Sequence, residues 1–124
     1  DEARAQYARA RDIWEAVSGP EHPDTALIIV TLGAVELAQQ NLDQAESLFQ
    51  EALSIQEDAL SADHPRIAET LSFVGSVHVA RGEGDTCRNP FQRALEIWQS
   101  MYAEDHPTVQ QAQTELETCL AIGE

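Results

Sequence analysis

The sequence predicts an all-α chain of about six helices, folded into antiparallel hairpins and stacked as an α-solenoid. Three observations predict it. The triplet EHP at 21–23 returns as DHP at 63–65 and at 105–107, so His22, His64 and His106 stand 42 residues apart. Other positions keep the same period: Tyr7, Phe49 and Phe91; Ala10, Ala52 and Ala94; Ile13, Ile55 and Ile97; Gly33 and Gly75. Apolar residues also recur at three- and four-residue steps throughout, without sustained strand alternation. Self-similarity at a fixed period of this length is the mark of a repeat architecture.

The elements follow in order. A helix is expected over 2–18, carrying the Tyr7–Ala10–Ile13 pattern. The next, over 23–40, starts at the His–Pro step. A third runs over 43–60, with Asp43 as N-cap and Glu46 three residues on, as in a capping box. His64–Pro65 opens a fourth over 65–81. The fifth is placed at 86–102 and the sixth at 107–122, after His106–Pro107. Short turns, QNLD and RGEGD, make successive helices antiparallel. The chain therefore divides into a helix at 2–18, repeats at 23–60 and 65–102, and a helix at 107–122, all in one solenoid segment, 1–124. A hairpin cannot bury both its faces alone, so neighbours stack. Neither terminal helix shows a dedicated polar cap, so the ends are expected to meet further repeats or to self-associate. The chain opens mid-pattern without an initiator Met, as a piece of a longer protein would.

One stretch resists the pattern. GDTCRNPFQRAL puts Pro90 where the previous repeat has Leu48. Inside a helix, proline removes a hydrogen bond and clashes one turn back, at a cost of about 3 kcal/mol or more. The favoured solution is a late start with Asn89 as N-cap and Pro90 at the first helical position, leaving Gly84–Arg88 as a loop. The other is a start at Asp85 with a kink.

Composition bounds the partners. The chain has 7 basic residues, all arginine, against 22 acidic ones, for a net charge of −15. Such a surface repels phosphate backbones and anionic lipid, which argues against nucleic acid and membrane. A neutral or basic protein partner is accommodated more easily. No apolar run approaches the roughly 18 residues a span requires. Cys87 and Cys119 form no metal-binding spacing, and two reduced thiols are expected, a single disulfide being the other reading. A cytoplasmic location fits that expectation.

The histidines are read as structural. Equivalent positions of packed helices lie about 8–10 Å apart or more, whereas one metal draws its ligand nitrogens to about 2 Å. His22, His64 and His106 cannot converge on one ion. Beside Pro23, Pro65 and Pro107 they mark helix starts, where an imidazole accepts from a backbone N–H. His78 lies between Val77 and Val79 and is read as packed or semi-exposed. Trp14 and Trp98 stand at equivalent positions and are read as core or inter-repeat packing residues, contact with a partner being the alternative. No nucleophile, base or phosphate loop is in place, so neither catalysis nor a cofactor is expected.

The stretch LGAVELAQQNLDQAESLFQEALSIQEDALSADHP resembles a tetratricopeptide repeat of the 42-residue kinesin-light-chain type. Its small residue is Gly33, its second-helix alanines are Ala45 and Ala52, and its aromatic is Phe49. The next copy matches at Gly75, Gly82, Phe91, Ala94, Leu95 and Ile97. The resemblance implies a right-handed superhelix whose first helices line a concave groove for a peptide or extended partner segment. It implies no catalysis. Carried over by register, the groove residues are Leu27, Val30, Thr31, Ala34 and Leu37, then Glu69, Ser72, Phe73, Ser76 and Val79. Gln111, Thr114, Glu115 and Thr118 complete them. Where the kinesin-light-chain pattern often has an Asn pair, this chain reads Val30–Thr31, Ser72–Phe73 and Thr114–Glu115. The expected function is a protein-interaction scaffold. The alternative is a structural module that extends or oligomerises through its terminal helices.

Overall fold

In the computed structural model, which describes residues 2–122, each His–Pro step begins a helix. The helices are α1 (Glu2–Ser18), α2 (Pro23–Ala38), α3 (Leu42–Ala59), α4 (Pro65–Ala80), α5 (Gly84–Met101) and α6 (Pro107–Ile122). There is no strand among the described residues. The chain groups into two compact units, residues 1–61 and 62–124. In the first, α1 packs on α2 and α2 on α3. In the second, α4 packs on α5 and α5 on α6, and α4 also meets α6 directly.

The histidines act as caps. His22 and His64 hold extended N-cap backbones, and their side chains accept from the amides of Asp24 and Arg66 at 3.0 and 3.1 Å. His106 Nδ1 accepts from the Thr108 amide at 3.1 Å. In each case the following proline has no N–H, so the imidazole satisfies the next orphan donor of the first turn. Asp24 places a carboxylate in that turn of α2, at the positive end of its dipole.

The turns after α2 and α4 share one construction. Gln40 and Gly82, 42 residues apart, hold φ of 64° and 73°. Beyond each, the amides of Asn41 and Glu83 reach back to the carbonyls of Glu36 and His78, both at 2.9 Å. The amides of Gln40 and Gly82 bond Leu37 and Val79 at 3.0 and 2.9 Å, completing a Schellman motif in each unit. This overturns the capping box expected at Asp43. The turn delivers Asn41 directly to the N-cap position, and α3 begins at Leu42, leaving Asp43 in the first turn. Asn41 makes no side-chain cap bond and instead donates to Glu36 Oε2 at 3.2 Å.

Glycine and aromatic pair within each hairpin. A β-carbon on Gly33 would stand 2.6 Å from the ring of Phe49, and one on Gly75 would stand 2.7 Å from that of Phe91. Ala45, Ala52 and Ile55 of α3 are buried, as are Cys87, Ala94 and Ile97 of α5. The 42-residue period is thus a period of packing.

Two expectations about α5 are corrected. The helix does not wait for Pro90; it starts at Gly84 and runs through the proline. Gly84–Arg88 is its first turn, not a loop. Cys87 explains this, because it is fully buried one turn before Pro90, in a cluster with Phe91 and Cys119 flanked by Val79, Leu116 and Ile122. Cys87 and Cys119 are also not free thiols but a disulfide, with Cα atoms 6.0 Å apart. By register they replace Ala45 and Val77, both buried, so the bridge crosses from one buried position on α5 to another on α6.

The ends differ as well. By register, Gln110, Gln113 and Glu117 of α6 stand where α2 has Ala26, Ile29 and Gly33, and where α4 has Ala68, Leu71 and Gly75. Those apolar and glycine positions are buried under the following helix, whereas Gln110 and Glu117 are exposed. This face of α6 is therefore more polar than the equivalent faces of α2 and α4.

Candidate partner-binding cleft

On α4, Glu69 stands three and four residues before Ser72 and Phe73, and Ser76 four and three residues after them, so the four share a stripe. On α6, Thr108, Gln111, Ala112 and Glu115 have the same spacing and share another. Because α4 meets α6 directly, the two stripes face one cleft of about 340 Å³, with Trp98 of α5 also lining it. A smaller space of about 210 Å³ shares Ser76, Gln111 and Glu115 and adds Val79, Phe91, Thr114 and Thr118. The structure thus brings together the nine residues that register placed on these two helices.

Several hydroxyls are already committed. Ser76 donates to the Ser72 carbonyl at 2.9 Å, and Thr114 and Thr118 donate to carbonyls of Gln110 and Thr114 at 3.0 and 2.9 Å. The Ser72 hydroxyl bonds the Glu115 carboxylate. Burial raises the Glu115 carboxyl above the ordinary 4.5 of a glutamate, and the Ser72 bond opposes that rise. Among the described residues that line the cleft there is no Lys, Arg or His. The site is therefore a half-buried carboxylate with a second one at Glu69, beside Phe73 and the Trp98 indole. Chemically it suits a cationic or hydrogen-bond-donating group carried on an apolar stem.

The first unit behaves differently. Leu27 of α2 is exposed, but Val30 is 8% exposed and belongs to the core. Thr31 spends its hydroxyl on the Leu27 carbonyl at 3.0 Å. One cleft here, about 440 Å³, is lined by Arg4, Leu32, Glu36, Asn41, Gln44, Ser47 and Leu48, and by none of the five expected groove residues of α2. The register could have found its centre. Glu36 and Asn41 form a polar pair five residues apart, and His78 and Glu83 form its image 42 residues on. Arg4 bonds both Glu36 and Gln39, so the buried carboxylate of Glu36 is matched. In the second unit His78 Nδ1 lies 2.8 Å from Glu83 and 3.0 Å from the Thr86 hydroxyl, and this hydrogen bond lowers the Glu83 carboxyl.

Among the described residues no group of three His, Cys, Asp or Glu is placed to hold a metal ion. No helix there is long and apolar enough to cross a membrane.

The sequence profile of the tetratricopeptide repeat matches residues 1–58 and 24–100. No curated protein sequence matches the chain. Among solved structures it is similar to a protein of Podosopora anserina described as a kinesin light chain with nearly identical TPR-like repeats. The TM-score is 0.75 at 19% identity, over 98% of this chain and 58% of that one. A single-substitution variant of that protein gives a TM-score of 0.78, also at 19% identity, over 98% and 57%. The chain thus spans less than two thirds of the structures it matches, and they share its fold.

Proposed function

The chain belongs to the tetratricopeptide-repeat family, and from that premise we propose that it is a non-catalytic protein-interaction scaffold whose α4/α6 cleft holds an extended segment of a neutral or basic partner. Members of this family commonly engage protein partners and are generally not catalysts. The observation that carries the reading is Glu115. It is drawn partly out of water and bonded to Ser72, with no cation among the cleft residues. An arginine or lysine from a partner would supply the missing charge, with its stem against Phe73 and Trp98.

Titration calorimetry tests this with extended peptides carrying one arginine flanked by leucines, against the same peptides with glutamate. The arginine series is expected to bind at least tenfold more tightly. Glu115→Arg and Phe73→Ala each remove that preference. Retention of full affinity by both variants refutes the assignment. The residues of α2 that face solvent, led by Leu27, extend the proposal to the first unit, where the same peptides test it through Leu27→Asp.

The alternative, a structural module that oligomerises through its terminal helices, draws on the exposed apolar residues of α1. Sedimentation over a range of concentrations separates the two, since a scaffold of the first kind stays monomeric. A cytoplasmic setting is compatible with the first reading, but a reducing compartment disfavours the Cys87–Cys119 bridge, which persists more readily in an oxidising one. Non-reducing mass analysis of the native protein decides between them.

A further inference from the structure

The Cys87–Cys119 bridge borders the α4/α6 cleft. Phe91 and Val79, which pack with the two cysteines, also line the smaller of the two spaces there. Cys119 stands four residues after Glu115, so the two share one face of α6. Little else holds that part of the helix down. Of the buried residues of α6, Val109 and Ala112 lie in its first half, and beyond them only Cys119 is buried. α5 is held differently. Its Phe91 packs so tightly on Gly75 of α4 that a β-carbon there would stand 2.7 Å from the ring, and Ala94, Leu95 and Ile97 are buried as well. Cutting the bridge leaves α5 on α4 and frees the second half of α6.

We propose that the Cys87–Cys119 disulfide is a redox latch: a dithiol reductant opens it, the second half of α6 lifts from α5, and Glu115 is withdrawn from Ser72 and from the cleft. The effect on a partner rests on the cleft reading above, whereas the movement of α6 does not. Both sulfurs are buried, so a thiolate reaches them only through local opening. The weak point is the first turn of α5, where the N-cap Glu83 makes no side-chain cap bond and Pro90 has no N–H for the carbonyl of Thr86. The reductant's thiolate attacks Cys87 Sγ and breaks the S–S bond, and Cys119 leaves as a thiolate. The second thiol of the reductant then closes on the mixed disulfide and frees Cys87. One dithiol becomes a disulfide, and its two protons end on the two cysteines. The Cys87 thiol keeps an acceptor within its own turn, the Gly84 carbonyl at 3.5 Å, and needs nothing from α6.

Hydrogen exchange of the native protein, with and without dithiothreitol, tests the latch. Amides of residues 114–122 are expected to exchange at least tenfold faster after reduction, while those of α4 exchange as before. Calorimetry with the arginine peptides is expected to show at least tenfold weaker binding to the reduced form, restored by reoxidation. The double variant Cys87→Ala, Cys119→Val takes the residues found 42 positions earlier, at Ala45 and Val77, and is expected to ignore the reductant in both measurements. Unchanged exchange in α6 overturns the latch, and so does a rise spread evenly over α4, α5 and α6, which is plain loss of stability. Equal, tight binding to both forms overturns its control of the cleft. Faster exchange in α6, with the peptides binding neither form, upholds the latch and refutes the cleft.

Discussion

Phe91 lies so close to Gly75 that a β-carbon on the glycine would stand 2.7 Å from its ring. The nearest atoms are those of a fully packed aromatic, not the end of a flexible chain. Gly75→Ala is therefore expected to destabilise the second unit by about 1–3 kcal/mol, despite alanine's better helix propensity. Gly33→Ala is expected to do the same through Phe49. Thermal or urea unfolding measures both, and a stabilised variant would refute the packing argument.

At Gln40 the opposite change helps. Its φ of 64° is costly for a side chain, and Gly82 shows what the turn prefers. Gln40→Gly is expected to stabilise by roughly 0.5–1 kcal/mol, as the strain relieved exceeds the added chain entropy. Urea midpoints at constant slope check it.

The histidine caps predict a simple series. His64→Ala loses the bond to the Arg66 amide and should cost about 1 kcal/mol. His64→Asn keeps an acceptor at the same place and should cost much less. Equal losses in the two variants would show that packing, not capping, holds His64.

The Cys87–Cys119 bridge closes a separation of 32 residues. Cys119→Ser is expected to lower stability by about 2–4 kcal/mol, mostly through the entropy regained by the unfolded chain. Local exchange should rise first at Gly84–Asn89, the turn that Pro90 leaves short of a hydrogen bond. Hydrogen exchange of the variant reports both effects.

Glu115 gives the pH dependence. Its carboxyl is raised in the folded protein, so over the window from about 4.5 up to that raised value the native state holds more proton than the unfolded one. Stability then falls as pH rises through the window and recovers as pH falls. Glu115→Gln should flatten that slope and be more stable than the parent near neutrality. Unfolding free energies measured across pH 4–8 test the sign.

The fold was legible because one His–Pro step marks each new pair and glycine meets aromatic at a constant period. What was not legible depended on partners brought together in space. Asp43 reads as an N-cap, yet the left-handed Gln40 hands that position to Asn41. Pro90 reads as a helix start until the burial of Cys87 fixes the turn before it. Cys87 and Cys119 belong to different helices, and their spacing alone says nothing about pairing. The stripes of α4 and α6 were legible by register. That Val30 is core, while its image Ser72 lines the cleft, was not, because register ignores how deeply each helix sits.

The indole of Trp98 stacks on Tyr102 at 6.0 Å between centroids, and Tyr102 stacks on His106 at 3.9 Å. One end of this column is part of the cleft wall, and the other is the imidazole that caps α6. Three rings in series leave the wall few alternative rotamers. A partner that docks against Trp98 meets a preorganised surface, and the ordering entropy of association falls chiefly on the arriving segment.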